Sequence, residues 1–143
     1  MKDGLSEILE KLHNADVIVL GSPIYFGTET AAMRGLMERL CFQYLLYSLK
    51  KPTLAPEKTC ALIYTMNVAD MSLYNDRIMS SKSMMERVFR HCDLLVSTNT
   101  KQFNDYSKYE ADYFDVDAKL KKHEEIFPKE LEDAFDFGKK LVR

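Results

Sequence analysis

The order of apolar segments predicts an α/β domain, a parallel sheet with helices on both faces. Three short runs of apolar and β-branched residues, Val17–Leu20, Cys60–Tyr64 and Asp93–Ser97, are separated by stretches with helical periodicity. Each intervening stretch is long enough to carry a helix and bring the chain back to the same edge, as a right-handed crossover requires. The residues that follow the runs give a third observation. Gly21–Gly27, Thr65–Ser72 and Thr98–Tyr109 are rich in small, polar or aromatic side chains. In a parallel sheet these three loops share the carboxyl edge, where ligands bind.

Each element has its own signal. Leu5, Ile8, Leu9 and Leu12 recur at i, i+3, i+4, i+7, one face of a short amphipathic helix. Val17–Leu20 is a continuous apolar run of the kind found in strands buried on both faces. Thr28 is placed to cap the next helix, with Glu29 in its first turn and Met33, Leu36, Met37, Leu40, Cys41 and Tyr44 along its inner stripe. Lys50–Pro56, with Pro52 and Pro56, reads as a loop before the strand Cys60–Tyr64. A third helix opens within Ser80–Ser83, where Ser83 and Glu86 have capping-box spacing, and Met84, Met85, Val88 and Phe89 face inward. After Asp93–Ser97 two helices close the chain, over 117–126 and 128–142. Pro128 stands at a first helical position, and Leu131, Ala134, Phe135 and Gly138 form the inner face.

At 143 residues the chain is the size of one domain, taken as 1–143, and 46% hydrophobic residues suffice for a core. A net charge of −2, with both signs mixed along the chain, offers no general attraction to nucleic acid or anionic membrane. No apolar run approaches the length of a membrane span and no signal peptide pattern is present, so a cytoplasmic location is expected. Cys41, Cys60 and Cys92 are widely spaced in apolar surroundings and read as reduced core thiols rather than metal ligands. His13, His91 and His123 are isolated, the methionines fill core, Tyr64 packs, and Lys119–Lys122 reads as a solvated helix face. No catalytic acid–base or nucleophile constellation stands out.

The stretch Ala15–Leu40 carries the sharpest signal. Its strand breaks into Gly21-Ser22-Pro23-Ile24-Tyr25-Phe26-Gly27, and three adjacent apolar side chains in an exposed turn need something to cover. This stretch, with Met33, Gly35-Leu36-Met37 and Arg39-Leu40, closely resembles the NAD(P)H-dependent FMN reductase and iron–sulfur flavoprotein family, whose fold is flavodoxin-like. In that family the third strand ends in a G-S-P-x-Y-[FW] turn that wraps the isoalloxazine ring of FMN. Ser22, Pro23, Ile24, Tyr25 and Phe26 match that turn, and Glu38-Arg39 match an acidic–arginine pair in the helix that follows. Asp105–Tyr109 and Phe127-Pro128 also look like members of the group, although Asp105–Tyr109 equally reads as an ordinary solvated loop.

The resemblance implies an oxidoreductase that takes electrons from NAD(P)H through FMN to a small-molecule acceptor. Hydride chemistry belongs to the cofactor, so the chain need only hold, orient and tune it. The expected FMN-binding residues are Ser22, Pro23, Ile24, Tyr25, Phe26 and Gly27 on one side of the ring. Asn67 and Thr98–Lys101 are expected on the other, from loop position. Relatives begin with a strand, a phosphate-cradling loop and a second strand. Met1–Gly4 lines up just before the family's second helix, so the reading is of an N-terminally truncated fold with about three of the usual five strands. A short chain of this kind should hold FMN weakly and discriminate poorly between FMN and riboflavin. It also leaves Val17–Leu20 as an open apolar edge, which with the family's habit of assembly implies a homodimer or larger. A partner-dependent or flavin-less half-domain, acting as a structural or interaction module, is the alternative.

Overall fold

The computed structural model describes residues 4–51 and 53–142. The readings that touch Met1–Asp3 and Pro52 lie outside them. Among the described residues nine helices and strands run in the order α1 (Leu5–Asn14), β1 (Val17–Tyr25), β2 (Thr28–Glu29), α2 (Ala31–Phe42), β3 (Thr59–Thr65), α3 (Asn75–Phe89), β4 (Asp93–Ser97), α4 (Val116–Glu125) and α5 (Phe127–Leu141). Short 3₁₀ turns at Met71–Tyr74 and Tyr106–Lys108 interrupt the loops.

The sheet has the order β2-β1-β3-β4. β1, β3 and β4 are parallel, with Leu20 opposite Leu62 and Leu62 opposite Leu94. These are the three expected parallel strands, and the fold is the α/β, flavodoxin-like arrangement. β2 is an addition, a two-residue antiparallel strand that pairs with Ile24 and Tyr25. It takes Thr28 and Glu29 out of the helix assigned to them, so the cap falls on Thr30, whose hydroxyl accepts a hydrogen bond from Met33 N. α3 begins earlier than its serine cluster suggests, because nothing in Asn75–Met79 breaks a helix.

One face of the sheet packs under α2 and α3. There Ile18, Leu20, Ile24, Cys60, Leu62 and Tyr64 meet Met37, Leu40, Ile78, Met85, Val88 and Phe89 in one buried cluster. The other face is covered by α5 at β3 and β4. β1 is therefore not buried on both sides as its composition suggests. Its burial alternates, and Val19 is 46% exposed. Among the described residues no strand pairs with Val17–Pro23 on the edge away from β3. α5 is also rotated from the expected face. Leu131 and Phe135 are exposed, whereas Phe127, Ala134 and Phe137 are half-buried and Leu141 is buried. No helix among the described residues is long and apolar enough to cross a membrane.

Candidate functional site

The carboxyl ends of β1, β3 and β4 and the loops after them enclose a cleft of about 400 Å³. Pro23, Ile24 and Tyr25 form one wall, and Thr65, Met66, Asn67, Thr100, Gln102 and Phe103 the other. The volume lies within the range of ligand clefts, about 300–1,000 Å³. A larger groove of about 660 Å³ lies against α2 and α3, lined by Leu9, Cys41, Phe42 and Met84 together with Glu38 and Arg39. That groove sits among helices, away from the strand ends where parallel sheets bind ligands. Glu38 there accepts from Arg34 Nε at 2.8 Å.

The first wall is a hairpin locked from behind. Phe26 and Gly27 both have positive φ, 53° and 88°, the two-residue turn that matches the twist of its flanking strands. A Cβ on Gly27 would crowd Arg77 Nη1 and stand 2.8 Å from Tyr74 Cδ1, so any other residue would have to displace those side chains as well as adopt a strained φ. Arg77 Nη1 donates to Phe26 O at 2.8 Å. Beneath the turn the Glu29 carboxylate is buried and accepts from Ser81 Oγ (2.9 and 3.1 Å), Thr28 Oγ1 (3.0 Å) and Arg34 Nη1 (3.2 Å). Burial opposes its ionisation, yet its own backbone N–H, Arg34, Ser81 and Thr28 together hold its pKa below the ordinary value. Ser22 points inward. Its Oγ accepts from Thr30 N at 3.1 Å and donates to Pro23 O at 2.9 Å, which ties the strand end to the start of α2.

The second wall is held by lysines. Met66 N donates to Ser97 O, Asn99 N to Val68 O and Thr100 N to Met66 O, so the β3 and β4 loops are laced together. Lys119, only 2% exposed, reaches from α4 to place its Nζ 2.7 Å from both Asn67 O and Asn99 Oδ1. Asn99 has a φ of 51°, a left-handed conformation that asparagine tolerates. Burial, with the like charge of Lys122 nearby, lowers the Lys119 pKa. Lys122 Nζ donates to Thr98 O and lies 2.8 Å from Glu130 Oε1. The Asn67 Oδ1 atom, inside the cleft wall, is buried with no hydrogen-bond partner. Phe103 completes the rim, stacked on Tyr109 with ring centroids 4.0 Å apart.

The structure thus brings Pro23, Ile24, Tyr25 and Asn67 to one cleft. Ser22 supports it from within the core side, Gly27 forms the hairpin tip, and Phe26 is 97% exposed outside the lining. Thr98 does not line the cleft; its carbonyl is engaged by Lys122, and Thr100 stands there instead. The Lys119–Lys122 segment is not a solvated face, because α4 turns these two lysines inward to carbonyl oxygens that belong to other elements. For Lys119 the sequence signal was present: Val116, Lys119 and Leu120 fall at i, i+3 and i+4 on one side of a helix, and the apolar pair marks that side as inner. The three cysteines are buried, and burial pushes their thiols up to about 11 for Cys41 and about 12 for Cys60 and Cys92. They are inert at neutral pH. Among the described residues no group of three or more His, Cys, Asp or Glu side chains is placed to hold a metal ion.

A parallel α/β sheet with its cleft at the strand carboxyl ends, walled by a proline-aromatic hairpin, is the doubly wound, flavodoxin-like class of fold. The sequence model of the NADPH-dependent FMN reductase family matches residues 1–74, half of the chain, and the chain belongs to that family. It is 37% identical over 62 residues to an iron–sulfur flavoprotein of Archaeoglobus fulgidus, covering 43% of this chain and 31% of that protein. It is 51% identical over 37 residues to an iron–sulfur flavoprotein of Methanocaldococcus jannaschii, covering 26% of this chain and 19% of that protein. The chain spans under a third of the length of these curated relatives.

Proposed function

We propose that this chain holds the isoalloxazine ring of FMN in the cleft between Pro23–Tyr25 and Asn67, and serves electron transfer from NAD(P)H to a small acceptor. The observation that carries this reading is the unpaired, buried Asn67 Oδ1, in a mixed wall with Met66, Phe103, Thr65, Thr100 and Gln102 that faces Pro23, Ile24 and Tyr25. A buried acceptor without a donor is costly in an empty protein, and the polar pyrimidine edge of a flavin offers an N–H to it. Tyr25 and Phe103 supply aromatic faces at the two rims, and Pro23 stiffens the wall between them. When bound, FMN supplies the hydride and electron chemistry. The chain's own residues position the ring, shield one face from water and keep Asn67 aimed through Lys119.

Titration of the chain with riboflavin and with FMN, followed by quenching of flavin fluorescence, tests the ring site. Saturable quenching by both ligands is expected, and its loss in Asn67→Ala would tie it to this cleft. No quenching by either ligand would overturn the assignment. The uncovered edge of β1, with Val19 exposed, supports assembly into a homodimer or larger. Light scattering at micromolar concentration should then show no stable monomer, and a well-behaved monomer would remove that part of the reading. A buried, partner-completed structural role has less support, because it leaves Asn67 without a ligand.

A further inference from the structure

A second, smaller cavity of about 260 Å³ adjoins the cleft and is lined by Thr65, Asn99, Thr100, Lys101, Lys122, His123 and Phe127. Thr65 and Thr100 line both spaces, so they form a common partition. We propose that this alcove binds the anionic group, phosphate or carboxylate, of the small molecule that exchanges electrons with the flavin; the inference rests on the flavin reading for the neighbouring cleft.

Charge is the first argument. Among the described residues neither Lys101 nor His123 has a carboxylate partner, while Lys122 is balanced by Glu130 at 2.8 Å. Behind the Asn99 wall lies the Lys119 ammonium, buried and bonded to two neutral oxygens, with no carboxylate within ion-pair distance among the described residues. A buried cation normally requires a countercharge, and one of its two partners here, Asn99, lines the alcove. Positive charge is thus concentrated at one corner of a chain whose net charge is −2. Local walls of low dielectric focus such a field on a small anion.

Shape is the second argument. The His123 ring lies flat against Phe127, with centroids 5.3 Å apart and planes 24° from parallel, and the stacked pair lines one side of the alcove. Among the described residues the Thr65 hydroxyl has no hydrogen-bond partner, so it can donate to a ligand in the alcove. A volume of about 260 Å³ admits a phosphate or carboxylate with its attached carbons, and not a second ring system of flavin size. A ligand seated there by its anionic end would extend past the Thr65–Thr100 partition toward the flavin cleft.

The test is a titration of the full chain with inorganic phosphate, followed by the His123 ring and Lys101 amide signals in NMR. Saturable shifts are expected, displaced by NADPH. A parallel titration with succinate separates a carboxylate preference from a phosphate preference. Lys101→Gln combined with His123→Gln should weaken phosphate binding about tenfold, the loss expected for a charge-assisted contact. Lys121→Gln, exposed on the same helix and outside the lining, should leave it unchanged. Acetylation of Lys101 in the unaltered chain, read by mass spectrometry with and without phosphate, gives an answer even where a variant fails to fold. Equal, non-saturating shifts in parent and double variant, or no protection of Lys101, would overturn the proposal. Riboflavin, which lacks phosphate, reports on the cleft separately: its binding without any phosphate effect retains the flavin site and removes the alcove.

Discussion

The two walls of the cleft are built by opposite means. The β1–β2 hairpin is anchored by a buried carboxylate, Glu29, whose donors come from its own strand, the next helix and Ser81 of α3. The β3 and β4 loops are anchored by ammonium groups, those of the buried Lys119 and the half-buried Lys122, which reach carbonyl oxygens from α4. The first wall carries its own left-handed turn and glycine, so its shape is largely set within eight residues. The second has no such local determinant. Its shape depends on a helix far along the chain arriving in register, so loss of its anchor should show as local loosening of the two loops.

The largest expected effect is on the first anchor. Glu29→Ala removes the acceptor from Ser81 and Arg34 and leaves the Ser81 hydroxyl buried and unpaired, at a cost of about 2–4 kcal/mol in urea unfolding. The same group sets a pH dependence. Its folded pKa lies below the ordinary value of 4.5, so its contribution is complete above that value and is lost as pH falls through the lowered folded one. Acid unfolding of the parent should therefore steepen below pH 4.5, and Glu29→Gln should remove that part of the slope. An unchanged slope would show that Glu29 is not the carboxylate concerned.

Next comes the second anchor. Lys119→Met keeps much of the side-chain volume and deletes two charge-assisted hydrogen bonds. Part of their worth, roughly 1.5–3 kcal/mol each, is returned because no ammonium need be buried. A net loss of about 1–2 kcal/mol is expected. The sharper readout is local. Amide exchange should accelerate at Asn99 and Thr100, whose N–H groups bridge the two loops, and stay slow at Thr30, whose N–H donates to Ser22. Acceleration at both places would mean that the walls are one mechanical unit and would end the comparison.

The smallest effects concern the aromatic residues of the turn. Tyr25 lines the cleft, whereas Phe26 is exposed beyond it. Tyr25→Ala should weaken riboflavin binding by about 1 kcal/mol, the worth of one aromatic contact. Phe26→Ala should change it by less than that, with little effect on stability. Fluorescence titration of the two single variants decides whether the pair acts jointly or Tyr25 alone does.

Residue pattern by itself determined the parallel strands, since apolar runs with crossover-length separations admit few alternatives, and Asp93–Ser97 was legible to the residue. It also marked the chain reversal at Phe26-Gly27, although Gly21–Tyr25, read as part of that turn, continue β1 and Ile24 joins the core. Proximity in sequence is what made both legible. The inner face of α5, the alternating burial of β1 and the inward turn of Lys119 and Lys122 were decided only by the tertiary structure. Each depends on which surface a neighbour presents: one helix covers β3 and β4 and leaves β1 bare, and the lysines find carbonyls 24 to 52 positions away. A lysine in isolation reads as solvated because water is the best partner for an ammonium. Only assembled backbone carbonyls, fixed in space by three strands and their loops, compete with water for that charge, and no local stretch of sequence records where those carbonyls will stand.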